Sequence, residues 1–254
     1  MTTTNASRLF CAILACAAFT LPAAARAETK GAGSSLARGL VELWSKKANG
    51  EPISYTANGS SAGVKALVDN TVDFAITDKP LGRIELERLG LKQLPLAATA
   101  VAIVANIPGL DTNKPIKLSG TILADIYLGV IDNWSNTAIA SMNPDLKLPN
   151  LSIVPMWRAD GSGTSYAFTT YLARGNQTWR RQYGATQSVN LKIGVSHTGG
   201  AALLAAVKAK SGAIGYDAIG QIAKTGLAPA TLENAMNRYV TANASSITDR
   251  KSVV

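Results

Sequence analysis

The chain has 254 residues, 47% hydrophobic and 16% charged, with 25 Lys and Arg against 16 Asp and Glu and a formal net charge of +9. The length suits a two-lobed protein or one large domain. The basic excess attracts anions, but the lysines are scattered along the chain and aromatics do not interleave with them, which argues against a nucleic-acid groove and for a solvated basic surface.

The first element is a leader. Arg8 precedes the largely apolar run Leu9 to Ala25, and Ala25-Arg26-Ala27 has the small-x-small form of a cleavage site. Residues 1–27 therefore read as a secretory signal peptide cut after Ala27. Ile13-Leu14-Ala15-Cys16 is similar to a lipobox, so a lipid anchor at Cys16 is the alternative; the apolar run continues well past it. That run is short for a membrane-spanning helix. Both cysteines, Cys11 and Cys16, leave with the signal, so the mature chain has neither thiol nor disulfide. His197 is the single histidine. A zinc or haem site is excluded on that inventory, and no cofactor is expected. Removing Arg8 and Arg26 from the 25 basic residues leaves 23 against 16 acidic, a net charge of about +7.

Beyond the signal, strand-like runs (53–56, 72–76, 99–105, 151–156, 213–216) alternate with helical ones (36–48, 62–69, 83–90, 120–128, 164–174, 199–209). The alternation predicts α/β layers around a largely parallel sheet. The helix over 36–48 carries Leu36, Leu40, Leu43 and Trp44 on one face and stops at Asn49-Gly50. Ser119 and Thr198 are the expected caps of the helices that follow them. Gly129 to Leu151 reads as a loop-rich connection. From Tyr239 the chain drifts through a polar stretch, and residues 242–254 read as a tail. Asp249 to Val254 back-translates to the start of a sequencing adapter and is read as an assembly artefact, with a disordered polar tail as the alternative.

Three of the strand-to-helix turns share one chemistry. Arg158-Ala159-Asp160-Gly161-Ser162-Gly163-Thr164-Ser165 places a Gly/Ser/Thr turn and a planar cation at a helix start, where unpaired N–H groups and the positive dipole end favour an anion. Gly31-Ala32-Gly33-Ser34-Ser35 and Asn58-Gly59-Ser60-Ser61-Ala62-Gly63 repeat the arrangement. One such turn is ordinary Ser capping; three in one chain suggest helix starts converging on one anion. Asp78, after the strand Val72 to Ile76, leaves the carboxyl edge of the sheet, where α/β proteins bind ligands. Gly59-Ser60-Ser61-Ala62-Gly63 also fits the nucleophile elbow of α/β-hydrolases, with Ser61 ahead of His197 in the required order, which keeps a serine hydrolase as a rival reading.

The three turns, with Asn70-Thr71-Val72-Asp73-Phe74, Ile126-Tyr127-Leu128-Gly129 and Gly212-Ala213-Ile214-Gly215-Tyr216, occur in the order and context of the PstS-type periplasmic phosphate-binding proteins, which this sequence resembles from Gly31 to about Thr241. The resemblance implies a two-lobed type II periplasmic-binding fold, with lobe 1 over 28–97, lobe 2 over 98–241 and a ligand cleft between them. Family members return to the first lobe with a closing strand and helices; this sequence ends earlier, so the first lobe is expected to be incomplete and to expose apolar surface. It implies a monomeric, non-enzymatic protein that carries inorganic phosphate to the membrane permease of an ABC importer; a secreted phosphate-binding or adhesion-like relative without a permease is the other reading. Position by position, it implies that Ser35 gives hydroxyl and N–H, Leu36 its N–H, and Ser60 a hydroxyl. Arg158 forms the charged pair, oriented by Asp160, and Ser162, Gly163 and Thr164 add N–H and hydroxyl donors. Asp78 accepts the phosphate's own proton. A carboxylate repels an anion that brings no proton, so Asp78 would exclude sulfate.

Overall fold

The computed structural model describes residues 28–47 and 52–248. The expected signal peptide, the Cys16 anchor, the Asn49-Gly50 stop and the closing residues 249–254 lie outside them. The chain opens with β1 (Thr29–Gly33), a 3-10 turn (Ser35–Ala37) and α1 (Arg38–Lys47), followed by β2 (Ile53–Thr56), α2 (Ser60–Val68), β3 (Phe74–Ile76) and α3 (Arg83–Leu89). These form a parallel sheet in the order β2-β1-β3, with Gly31 opposite both Tyr55 and Phe74. β1 was not foreseen. Thr-Lys-Gly-Ala-Gly has little strand propensity, and hydrogen bonding to a neighbour on each side supplies what propensity does not.

The buried face of α1 also differs from expectation. Ala37 and Val41 are buried, while Leu43 and Trp44 are exposed at 49% and 37%. The small and β-branched residues let the helix lie close to β2, where the Ser45 hydroxyl donates to the Ile53 carbonyl at 3.3 Å. Ile84, Leu94 and Leu96 are exposed as well.

Over 98–241, where the second lobe is expected, lie β4 (Val101–Ala105), β5 (Lys117–Leu118), α4 (Gly120–Leu128), α5 (Thr137–Met142), β6 (Val154–Arg158), α6 (Gly163–Gly175), α7 (Gln177–Gln182), β7 (Val195–His197), α8 (Gly200–Ala209), β8 (Ala213–Ala218), α9 (Ile219–Ile222), β9 (Thr231–Glu233) and β10 (Tyr239–Thr241); a short helix, α10 (Ala244–Thr248), follows in the stretch read as a tail. Instead of one largely parallel sheet, the described residues form three. The central one runs β4-β8-β6-β7, with β4 antiparallel to β8 and the other pairs parallel; a small sheet runs β10-β9-β5. The expected α/β class holds, in the two-lobed arrangement.

The core lies in this lobe. Phe168 stacks on Tyr216 at 4.1 Å and meets the edge of Tyr127 at 4.8 Å, with Trp134, Trp179, Leu123 and Leu172 buried in the same cluster. Ser119 caps α4 as expected, accepting from the Ile122 N–H. Thr198 does not cap α8: Gly199 holds that position at φ 83° with no side-chain cap. The connection after α4 contains α5, whose start is fixed by the Asn136 side chain accepting from the Ala138 N–H.

Candidate functional site

β6 ends on Arg158, a guanidinium only 1% exposed. It is held from two directions. Nε donates to Asp160 Oδ1 at 3.0 Å and Nη2 pairs with Asp160 Oδ2, while Nη1 donates to Ser35 Oγ of the first lobe at 3.3 Å. Asp160 Oδ1 also accepts from the Gly199 N–H at 2.9 Å, tying the turn to the start of α8. Burial pushes the Asp160 carboxyl up, but hydrogen bonds from Arg158 and Gly199 and the guanidinium charge outweigh it, and it titrates below its ordinary range. A planar fork fixed by a bidentate partner is the geometry that recognises a tetrahedral oxyanion.

The second half of the cluster centres on Asp78. Its Oδ2 accepts from Ser34 Oγ at 2.7 Å and Ser60 Oγ at 3.3 Å. Ser60 Oγ in turn accepts from the Gly163 N–H at 3.2 Å, so the starts of α2 and α6 meet through one hydroxyl. Gly163 is required by this approach: a Cβ there would lie 2.2 Å from the Cβ of Asp78. Burial raises the Asp78 pKa, partly offset by the Ser34 and Ser60 hydrogen bonds and the Arg158 charge.

The structure thus brings Ser35, Ser60, Asp78, Arg158, Asp160 and Gly163 together. Leu36, Ser162 and Thr164 are placed differently in detail. The Leu36 N–H donates to Ser34 Oγ at 3.2 Å. Ser162 Oγ caps α6 by accepting from Thr164 N at 3.1 Å and Ser165 N at 3.4 Å, and the Ser162 N–H donates to the Gln187 carbonyl. Those N–H groups are engaged within the protein, which leaves the hydroxyl protons as the donors of this turn. Thr164 Oγ1, in the first turn of α6, is buried with no hydrogen-bond partner among the described residues.

Ser34 escaped the sequence reading, which took its neighbour. The signal available was the pair of adjacent serines ahead of a helix; only the turn geometry tells which hydroxyl faces Asp78. Tyr216 was missed as well: its hydroxyl accepts from the Arg158 N–H at 3.2 Å and bonds to Ser165 Oγ at 2.8 Å, bracing the strand end.

The hydrolase pair does not assemble. His197 lies on β7 opposite Arg158, and its Nε2 has no hydrogen-bond partner among the described residues. Ser61 packs against Gly161, with its N–H donating to the Gly161 carbonyl at 3.2 Å. An apolar cavity of about 270 Å³, bounded by Ile103, Phe168, Tyr171 and Leu232, lies apart from the polar cluster and includes none of its residues. Among the described residues no helix is long and apolar enough to cross a membrane.

Comparison with known proteins places this geometry. A profile of the PBP superfamily domain matches residues 20–252. The phosphate-binding protein PstS of Xylella fastidiosa strain Temecula1 is 36% identical over 219 residues, 85% of this chain and 60% of the relative. PstS of Haemophilus influenzae is 33% identical over 224 residues, 87% of this chain and 67% of the relative. The chain thus spans three-fifths of the length of the Xylella protein. Among solved structures, a Clostridium perfringens protein with bound phosphate matches with TM-score 0.68 at 21% identity, covering 90% of this chain and 83% of the other. A phosphate-binding protein from Stenotrophomonas maltophilia matches with TM-score 0.62 at 24% identity, covering 81% and 64%. These relatives are binding proteins, and the hydrolase reading falls with them. The chain belongs to the PBP superfamily and, within it, to the PstS-type phosphate-binding proteins.

Proposed function

We propose that this chain binds inorganic phosphate in the cleft between its lobes and, as an exported monomer in the periplasm, delivers it to the permease of an ABC-type phosphate importer. The observation that carries the reading is the meeting of turns from both lobes through two hydroxyls: Ser35 accepts from Arg158, and Ser60 joins Asp78 to the start of α6. Arg158 and the hydroxyls of Ser35, Ser60, Ser162 and Thr164 serve as donors to the anion's oxygens, with N–H groups of Leu36 and Gly163 released to it when their internal partners rotate. Asp160 keeps the guanidinium in its plane. Asp78 accepts the proton that hydrogen phosphate brings and sulfate lacks.

Calorimetric titration of the chain with inorganic phosphate tests this. Arg158→Ala is expected to weaken binding by about 2–5 kcal/mol, because it leaves half-buried Asp160 without its cation as well as removing the donor fork. Lys65→Ala, at a side chain 75% exposed, is expected to change it by less than about 1 kcal/mol. Equal small losses at both positions would put the site elsewhere.

A further inference from the structure

A carboxyl beside the site has no part in the arrangement above. Asp217 lies on β8, directly after Tyr216, and is 1% exposed. Strand alternation sends Tyr216 into the aromatic cluster and Asp217 to the other face, which α8 covers: Leu203 and Val207 lie over Gly215, and Gly200 lies over Asp217. The approach is so close that a Cβ on Gly200 would sit 2.0 Å from Asp217 Oδ2. Oδ1 accepts from the Ala218 N–H at 2.7 Å, but buried Oδ2 has no hydrogen-bond partner among the described residues. It rests beside the start of α8 without receiving an N–H from it.

The charged groups acting on Asp217 come from three places: Arg158 from β6, Asp160 from the turn after it, and Asp78 from the other lobe. β4, paired with β8 here, and α9 contain no ionisable residue; α8 has only Lys208, near its far end, and His197 stands on β7 opposite Arg158. Three carboxyls therefore share one guanidinium, whose Nε and Nη2 are committed to Asp160 and whose Nη1 is given to Ser35. An ionised Asp217 would be a buried charge with a single hydrogen bond, within reach of the fields of two other acids and under the start of the helix whose Gly199 N–H holds Asp160. Burial, then repulsion from Asp78 and Asp160, raises its pKa; the Ala218 N–H and Arg158 oppose this only in part.

We propose that Asp217 couples phosphate binding to a proton: it holds its own proton while the anion is bound and gives it up from the empty site. The inference rests on the phosphate reading. Its sign follows from linkage. A bound anion adds negative charge beside Asp217 and raises its pKa further. Between the ligand-free and ligand-bound values, binding takes up a proton, and affinity declines as pH rises through that window. Below it Asp217 is neutral in both states and contributes no pH dependence.

Asp217→Asn keeps the size and fixes the group in an uncharged form. Titrating inorganic phosphate into the parent chain and the variant from about pH 5 to pH 9 at constant ionic strength gives a ratio of affinities in which the titration of free phosphate cancels. The variant is expected to match the parent within about twofold at the acidic end and to bind progressively tighter above the ligand-free pKa of Asp217, by up to about tenfold per pH unit. A ratio that stays flat with pH overturns the inference and leaves the phosphate reading intact. A parent that binds no phosphate at any pH overturns both. The same question can be put to the unmodified chain by following the carboxyl carbon shift of Asp217 by NMR: a titration midpoint that rises on saturation with phosphate supports the inference, and an unmoved midpoint overturns it.

Discussion

Asp78 and Asn differ by one group of atoms and one charge, and that exchange separates the roles of shape and protonation in the cleft. Asp78 Oδ2 already accepts from two serine hydroxyls, and burial holds its pKa up. As a carboxylate it can only accept, so an oxyanion that carries a proton satisfies it and one without a proton is repelled. Asp78→Asn keeps the volume, removes the repulsion and lets an amide N–H turn toward the ligand. Sulfate binding is expected to rise at least tenfold relative to phosphate, while phosphate affinity survives on Arg158 and the serines. Competition titration of both ions at one pH and salt concentration measures the ratio; an unchanged ratio removes Asp78 from the site. At this scale the sequence was legible as chemistry but not as direction. Gly-Ser-Ser announced a hydroxyl-bearing turn, yet Ser34 caps the 3-10 turn from a non-helical conformation (φ −50°, ψ 126°) while Ser35 is the first residue inside it. The two hydroxyls therefore part, Ser34 to Asp78 and Ser35 to Arg158.

The turn into α6 shows how one element can serve structure and binding through different atoms. Ser162 Oγ satisfies two N–H groups of the first turn, whereas Thr164 Oγ1 is buried with no partner among the described residues. Ser162→Ala is therefore expected to lower stability by about 1 kcal/mol in denaturant unfolding, as loss of a cap does. Thr164→Val keeps the shape and relieves a buried unpartnered hydroxyl, so stability should hold or rise slightly while phosphate affinity falls. A Thr164→Val chain that binds like the parent would show that this hydroxyl does not reach the ligand. Long periodic helices such as α4, α6 and α8 could be read directly from their apolar spacing. α5 and α7 could not. Each has six residues and begins at an asparagine whose side chain accepts from one N–H of the first turn, a signal that looks the same as an ordinary polar loop.

In the whole molecule, the alternation of strands and helices revealed the α/β class. It could not show that β4 joins β8 antiparallel or that β9 and β10 leave to form a separate sheet, since those pairings are settled by contacts far apart in sequence. The two lobes are also unequal in a way composition hides. Among the apolar residues described in the first lobe, only Ala32, Ala37 and Val41 are buried, against the large aromatic cluster of the second. Buried apolar area is the main source of stability, so β1, β2 and β3 are expected to open at much lower free energy than β6 and β8. What ties them down is polar and runs through the binding turns: Ser35 to Arg158, Ser60 to Gly163, and the Ser61 N–H to the Gly161 carbonyl. A ligand that bonds to both lobes adds to those ties and stabilises the closed form by mass action, by about 2.7 kcal/mol at a hundredfold excess over Kd. Amide hydrogen exchange should therefore slow strongly in residues 28–33, 53–56 and 74–76 when phosphate is added. Exchange in 154–158 and 213–218, already protected by their own core, should change little. Equal slowing in both sets would mean that the lobes open together and that the first does not depend on the ligand for its order; slowing confined to the second set would mean that the anion does not bridge them.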